Sequence, residues 1–137
     1  MENSELIARA AEAREKAYAP YSGFKVGAAL LTADGSVFTG GNVENASYGM
    51  TVCAERVAVL TAVAAGKREI VKLAVVTGNS PPLAPCGACR QVLVEFAPGA
   101  EVLAASTKGE VRTWTAAELL PDRPILLRLP ACGIDAE

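Results

Sequence analysis

Three cysteines in two places narrow the folds open to this chain. Cys53 stands in Thr51-Val-Cys-Ala-Glu-Arg56, while Cys86 and Cys89 share Pro85-Cys-Gly-Ala-Cys-Arg-Gln91. Residues three apart on a helix lie on one face, so a helix starting at Cys86 presents two sulfurs together. The backbone dipole at a helix N-terminus also favours a thiolate. Cys53 sits at the start of a second predicted helix. If the two helix starts converge, three sulfurs surround one point.

Zinc is the natural occupant of such a point, because it takes thiolates at about 2.3 Å in tetrahedral geometry. Three ligands leave a fourth position open, which marks a catalytic site rather than a structural one. Cys132, in Pro130-Ala-Cys-Gly133, has no partner in motif spacing; as a fourth ligand it would close the site. An open zinc needs a group that moves protons. Glu55 is two residues after Cys53, and such positions diverge by about 200° along a helix. In the first turn, however, both side chains can bend toward the helix end. A carboxylate there can take a proton from a water at the open position and later deliver it.

Zinc with three thiolates carries one net negative charge and acidifies water poorly unless charge is withdrawn. Two helix N-termini contribute to this. Arg56 and Arg90 stand close behind the cysteines and can donate hydrogen bonds to sulfur. Arg56 is expected to do so; the alternative is a solvated surface arginine.

The 137 residues argue for a single domain spanning 1–137, long enough to bury a core without disulfides. With 51% hydrophobic and 20% charged residues the chain is not a disordered one, and part of its apolar surplus is available to another subunit. The net charge is −2 and no run of Lys or Arg exceeds two residues, so a small substrate is expected and a nucleic acid is not. The opening MENSELIARA lacks a signal-peptide core, and no apolar run approaches the roughly 20 residues that span a membrane. A cytoplasmic location is the expectation. There, four cysteines suggest metal or catalysis more than disulfides.

Apolar periodicity predicts a helix over 4–18, capped by Ser4 or Asn3 and ended by Ala19-Pro20. Strands are predicted over 25–31 and 37–40, antiparallel across Asp34-Gly35. Residues 42–52 read as irregular. A helix follows from Cys53 to about Ala65, with Gly66 beyond its end. The β-branched run 71–77 suits a buried strand. GNSPPLAP is a loop, and a helix runs from about Cys86 to Phe96. Strands over 101–105 and 110–114 flank a short turn, and Thr115 with Glu118 can box the start of a last short helix. The pattern is an α/β layered domain, with helices covering a sheet of about five strands.

Both cysteine motifs, together with Tyr18-Ala-Pro-Tyr-Ser-Gly-Phe24, Val26-Gly-Ala-Ala-Leu30 and Asn42-Val-Glu-Asn-Ala-Ser-Tyr48, resemble the cytidine deaminase family. A related H-x-E…P-C-x-x-C signature with a three-cysteine variant marks zinc deaminases. Cys53 stands where that pattern has His, and the chain has no histidine. The resemblance is therefore to the short, homotetrameric members rather than the polynucleotide-editing branch.

It implies a three-layer α-β-α fold with a mixed sheet, a Zn2+ cofactor, and hydrolytic deamination of cytidine and deoxycytidine in pyrimidine salvage. It further implies that Glu55 is catalytic, that Asn42 and Glu44 hold the ribose, and that Phe24 packs on the pyrimidine. Asn45 and Tyr48 match positions near the pocket that the resemblance sets toward a neighbouring subunit's site in the homotetramer. Read alone, Asn42 and Glu44 also suit a capped turn, and Phe24 suits core packing.

One departure concerns the C-terminus. Family members follow Leu-Leu-Pro with an aromatic that helps close a neighbour's site, but here no Phe appears after position 96, leaving Ile125 or Leu126 as substitutes. Rival readings are a blasticidin-type aminonucleoside deaminase, a structural zinc module, and a thiol redox protein using Cys86 and Cys89. The last leaves Cys53-Ala-Glu55 unexplained.

Overall fold

The computed structural model describes residues 1–124. Strands β1 (Gly27–Thr32), β2 (Val37–Gly41), β3 (Ile70–Thr77), β4 (Glu101–Ser106) and β5 (Val111–Thr115) form one mixed sheet in the order β2-β1-β3-β4-β5. Only β3 and β4 pair in parallel; the other neighbours are antiparallel. Helix α1 (Asn3–Arg14) covers one face, where Leu6 and Ala10 pack with Ala29, Ala74, Val76, Leu103 and Ala105. Helices α2 (Ala54–Ala64), α3 (Gly87–Phe96) and α4 (Ala116–Leu119) cover the other, over Ala28, Leu30, Leu73 and Val102. Alternate strand residues thus feed two cores, which gives the expected three-layer α-β-α arrangement.

Turn chemistry sets the joints. Gly35, at φ +88, lets the Asp34-Gly35 turn close with β1 and β2 in register from Leu31–Val37 to Gly27–Gly41. The Gly66 N–H donates to the Val63 carbonyl and the Lys67 N–H to that of Ala62, a Schellman ending for α2. Thr115 and Glu118 cap α4 reciprocally, as expected.

Two expectations fail at α1. The helix is capped by neither Ser4 nor Asn3: Glu2 holds the N-cap position without a side-chain bond, and the Asn3 carboxamide accepts from Lys72 Nζ at 2.7 Å. It also ends at Arg14 rather than residue 18, because Tyr18 leaves to form a bridge with Val43. Residues 42–52 are correspondingly more ordered than expected. Val43 bridges Tyr18 on one side and Val52 on the other, and a short 3₁₀ turn covers Tyr48–Met50.

The topology explains why two helix starts meet. β2 and β3 both run antiparallel to β1, so their carboxyl ends lie at the same edge of the sheet. Each is followed by a helix on the same face, and these helices therefore begin at that edge. Gly40 permits the close fit on β2: a Cβ there would lie 2.7 Å from the Ala58 nitrogen and 2.8 Å from the Ala54 carbonyl oxygen.

Candidate metal centre and active site

Cys53 and Cys86 are the N-cap residues of α2 and α3, both in extended conformation and neither making a side-chain cap bond. Cys89 lies one turn into α3. The sulfurs of Cys53 and Cys86 are 3.9 Å apart and those of Cys86 and Cys89 3.4 Å, with all three within 4.8 Å of one another. Thiolates at about 2.3 Å on a tetrahedral zinc stand about 3.8 Å apart, so the donor set fits that ion with one position over. Cys132 lies outside the described residues.

The Cys89 thiol, with Arg56 and Cys86 behind it, holds the Cys53 thiol well below its usual range. The same hydrogen bond, with burial, holds Cys89 above its own. Arg56 Nη2 donates to Cys53 Sγ at 3.5 Å, as its position after the cysteine suggested. Arg90 does not reach sulfur. Its Nε donates to the Pro85 carbonyl at 2.7 Å and its Nη1 to that of Leu119 at 2.9 Å, because it follows the cysteine on α3 and turns back across the helix start.

Glu55 is 7% exposed, and its carboxylate has no side-chain hydrogen-bond partner among the described residues. Burial pushes its carboxyl up to about 7. It lies on the wall of a cavity of about 320 Å³ that also contacts Cys53 and Cys86. Phe24, Asn42, Glu44 and Tyr48 line the same cavity; Asn45 instead lines a smaller one of about 150 Å³ beside it. Asn42 is buried, taking the Val26 N–H on Oδ1 at 2.8 Å and giving Nδ2 to the Phe24 carbonyl at 2.9 Å. Glu44 accepts from the Ser22 hydroxyl and from the backbone N–H groups of Tyr21 and Ser22, at 2.9 and 3.1 Å. Ser22 holds its carboxyl below the usual range. The Asn45 carboxamide accepts from Ser47 N at 2.8 Å, the local turn that asparagine favours. Tyr48 is 88% exposed.

Ser22, Thr51, Leu83 and Ala84 also form the wall and were not anticipated. Ser22-Gly23 carries a turn signal but nothing that points to Glu44. Leu83 and Ala84 lie in a segment that reads only as loop.

Fold and site together define the class of zinc hydrolases, with a three-sulfur cluster between two helix starts able to hold the metal. The model of the cytidine and deoxycytidylate deaminase zinc-binding region matches residues 1–106. The chain belongs to that family. It is 51% identical over 122 residues to the cytidine deaminase of Halalkalibacterium halodurans, covering 88% of this chain and 92% of the relative. The crystal structure of cytidine deaminase from Burkholderia pseudomallei superposes with a TM-score of 0.87 at 57% identity, covering 89% of this chain and 98% of that one. That of Mycobacterium tuberculosis gives 0.78 at 42%, covering 92% and 99%.

Proposed function

We infer that this chain hydrolyses cytidine and deoxycytidine to uridine and deoxyuridine with release of ammonia, and that Glu55 moves the protons. One observation carries the assignment to Glu55: a buried carboxylate without a side-chain partner shares a cavity wall with the three-sulfur cluster. Cys53, Cys86 and Cys89 would hold a zinc ion, whose Lewis acidity would let water lose a proton near neutral pH. Glu55 takes that proton and gives it to ring N3 as oxygen bonds to C4. It then takes the proton of the new C4 hydroxyl and passes it to the exocyclic amine, so that the C4–N bond breaks, ammonia leaves and the C4 carbonyl forms. A carboxyl held near 7 suits both roles. Arg56 draws charge from Cys53 and so offsets the surplus of three thiolates.

Asn42 and Glu44 would meet the sugar hydroxyls, Phe24 the base, and Asn45 and Tyr48 the outer rim. Among the described residues the wall carries two acids, Glu44 and Glu55, and neither Lys nor Arg. A phosphate would face a carboxylate there, which favours a free nucleoside over a nucleotide or a polynucleotide. The Asn42-Val-Glu-Asn45 run favours cytidine over blasticidin S.

We further propose a homotetramer of single-domain subunits. Tyr18, Tyr21, Val43, Tyr48 and Met50 are exposed around the pocket, an apolar surface that a second subunit would cover. No helix among the described residues is long and apolar enough to cross a membrane. We place the reaction in the cytoplasm, where reduced thiols keep such a site loadable. Ile125 and Leu126, the alternatives for closing the pocket, lie outside the described residues.

The test compares cytidine, deoxycytidine, cytidine monophosphate and blasticidin S as substrates, with zinc measured on the same sample and sedimentation run beside it. Cytidine and deoxycytidine should release ammonia fastest, and Glu55→Ala should keep zinc yet lose nearly all turnover. Full activity in that variant removes Glu55 from the mechanism.

A further inference from the structure

The cavity lined by Phe24 is also lined by Leu83 and Ala84, in the loop over 78–85 that leads into Cys86. Among the described residues, no main-chain to main-chain hydrogen bond reaches this loop. Side chains hold it instead. Arg90 grips the Pro85 carbonyl at its inner end. At its outer end Arg112 Nη1 donates to the Pro82 carbonyl at 3.2 Å, and the Ser80 hydroxyl bonds to Glu110. Leu83 and Ala84 are therefore strung between two carbonyls, each held by an arginine.

Arg112 is itself positioned. It projects from edge strand β5, and its guanidinium lies 4.5 Å from the centroid of the Trp114 ring. Trp114 packs against the core beneath α3 and α4. Stacking on an aromatic face fixes the plane of a guanidinium and leaves its N–H groups aimed along that plane. The far edge of the sheet thereby reaches the wall of the pocket through one side chain.

We propose that Arg112 is a positioning residue for substrate binding: stacked on Trp114, it holds the Pro82 carbonyl and so sets where Leu83 and Ala84 stand against the base. It touches neither the metal cluster nor Glu55, so its influence falls on binding rather than on proton movement. Arg90, by contrast, secures the metal end of the loop. The proposal rests on the nucleoside reading given above.

The experiment measures kcat, KM for cytidine, the inhibition constant of uridine and zinc content in wild type, Arg112→Met, Arg112→Lys and Ser80→Ala. Loss of one fixing hydrogen bond should raise KM and the uridine constant together by about five- to ten-fold in Arg112→Met. Zinc content should hold and kcat should stay within about two-fold. Arg112→Lys, which keeps the charge but loses the planar stacked fork, should raise both constants by an intermediate amount, and Ser80→Ala should shift KM the same way to a smaller extent. A purely structural Arg112 would reduce the active fraction, hence apparent kcat, and leave KM alone. That result, or unchanged KM in both Arg112→Met and Ser80→Ala, overturns the proposal. If Arg112→Met does not fold, Arg112→Lys and Ser80→Ala decide it through the same two constants. A wild-type protein that does not deaminate cytidine would overturn the nucleoside reading instead.

Discussion

Cys53 and Cys86 occupy matching positions: each is the N-cap residue of its helix, and their sulfurs stand 3.9 Å apart although 33 residues separate them. Serine, threonine, aspartate or asparagine at such a position would bond back to the helix. Neither cysteine does. The first turns of two helices therefore flank the sulfur cluster without a side-chain cap from either cysteine, and a metal–thiolate centre there would take the place of two caps.

Zinc removal should consequently loosen both helices at once. Chelation should lower the melting temperature by an amount that reports several kcal/mol, about 4 if free zinc exceeds its dissociation constant a thousandfold. Cys86→Ser separates the two roles of this position. Serine caps well, so the metal-free variant should be more stable than the metal-free wild type by about 0.5–1 kcal/mol, while zinc-loaded wild type exceeds both. Calorimetry of the four samples checks the order; a metal-free variant that melts below metal-free wild type contradicts it.

Gly40 is where α2 comes down on β2. An added Cβ would lie under 3 Å from two backbone atoms of that helix, so Gly40→Ala must displace the segment that carries Cys53 and Glu55. The expected cost is about 1–3 kcal/mol in denaturant titration, with reduced turnover at full zinc loading. Gly99→Ala, where a Cβ meets nothing within 4 Å, is the control and should leave both quantities unchanged.

Lys67, just beyond the end of α2, donates to Asp34 of the β1–β2 turn at 2.6 Å. That bond, with one from the Thr32 hydroxyl, holds the Asp34 carboxyl well below its ordinary 3.8. A depressed carboxyl contributes stability that is complete above the unfolded value and fades as the pH falls below it. Lys67→Met should therefore melt below wild type near pH 7, by a small margin that high salt narrows, and the gap should shrink as the pH falls below 3.8 and close only where the depressed carboxyl itself takes up a proton. A gap that persists in acid points to the lysine stem rather than its charge.

Features encoded by neighbours in the chain were legible in the sequence. Asp34-Gly35, Gly66 and the Thr115–Glu118 box each act within a few residues, and each forms as expected. The convergence of Cys53 with Cys86 and Cys89 was legible too, because motif spacing and two strand-to-helix units point the same way. What escaped depends on single contacts between distant segments. The bridge from Val43 to Tyr18 and Val52 has no periodicity to announce it. Arg90, like Arg56, could have donated to sulfur, but which acceptor a long side chain finds depends on packing. It took two carbonyls, one of them 29 residues away. The wall at Leu83 and Ala84 is fixed by side chains from the sheet edge, and no local pattern encodes that.

The solitary Glu55 carboxylate has a consequence for durability. A carboxyl largely withdrawn from water and lacking a side-chain donor among the described residues costs the native state some stability, and a neutral amide of the same shape relieves part of that. Glu55→Gln, matched for zinc, should resist more urea than the active protein while turning over almost nothing; equal or lower resistance would mean that the carboxylate is better accommodated than its surroundings suggest. This chain then gives up some sturdiness at one position in return for its chemistry.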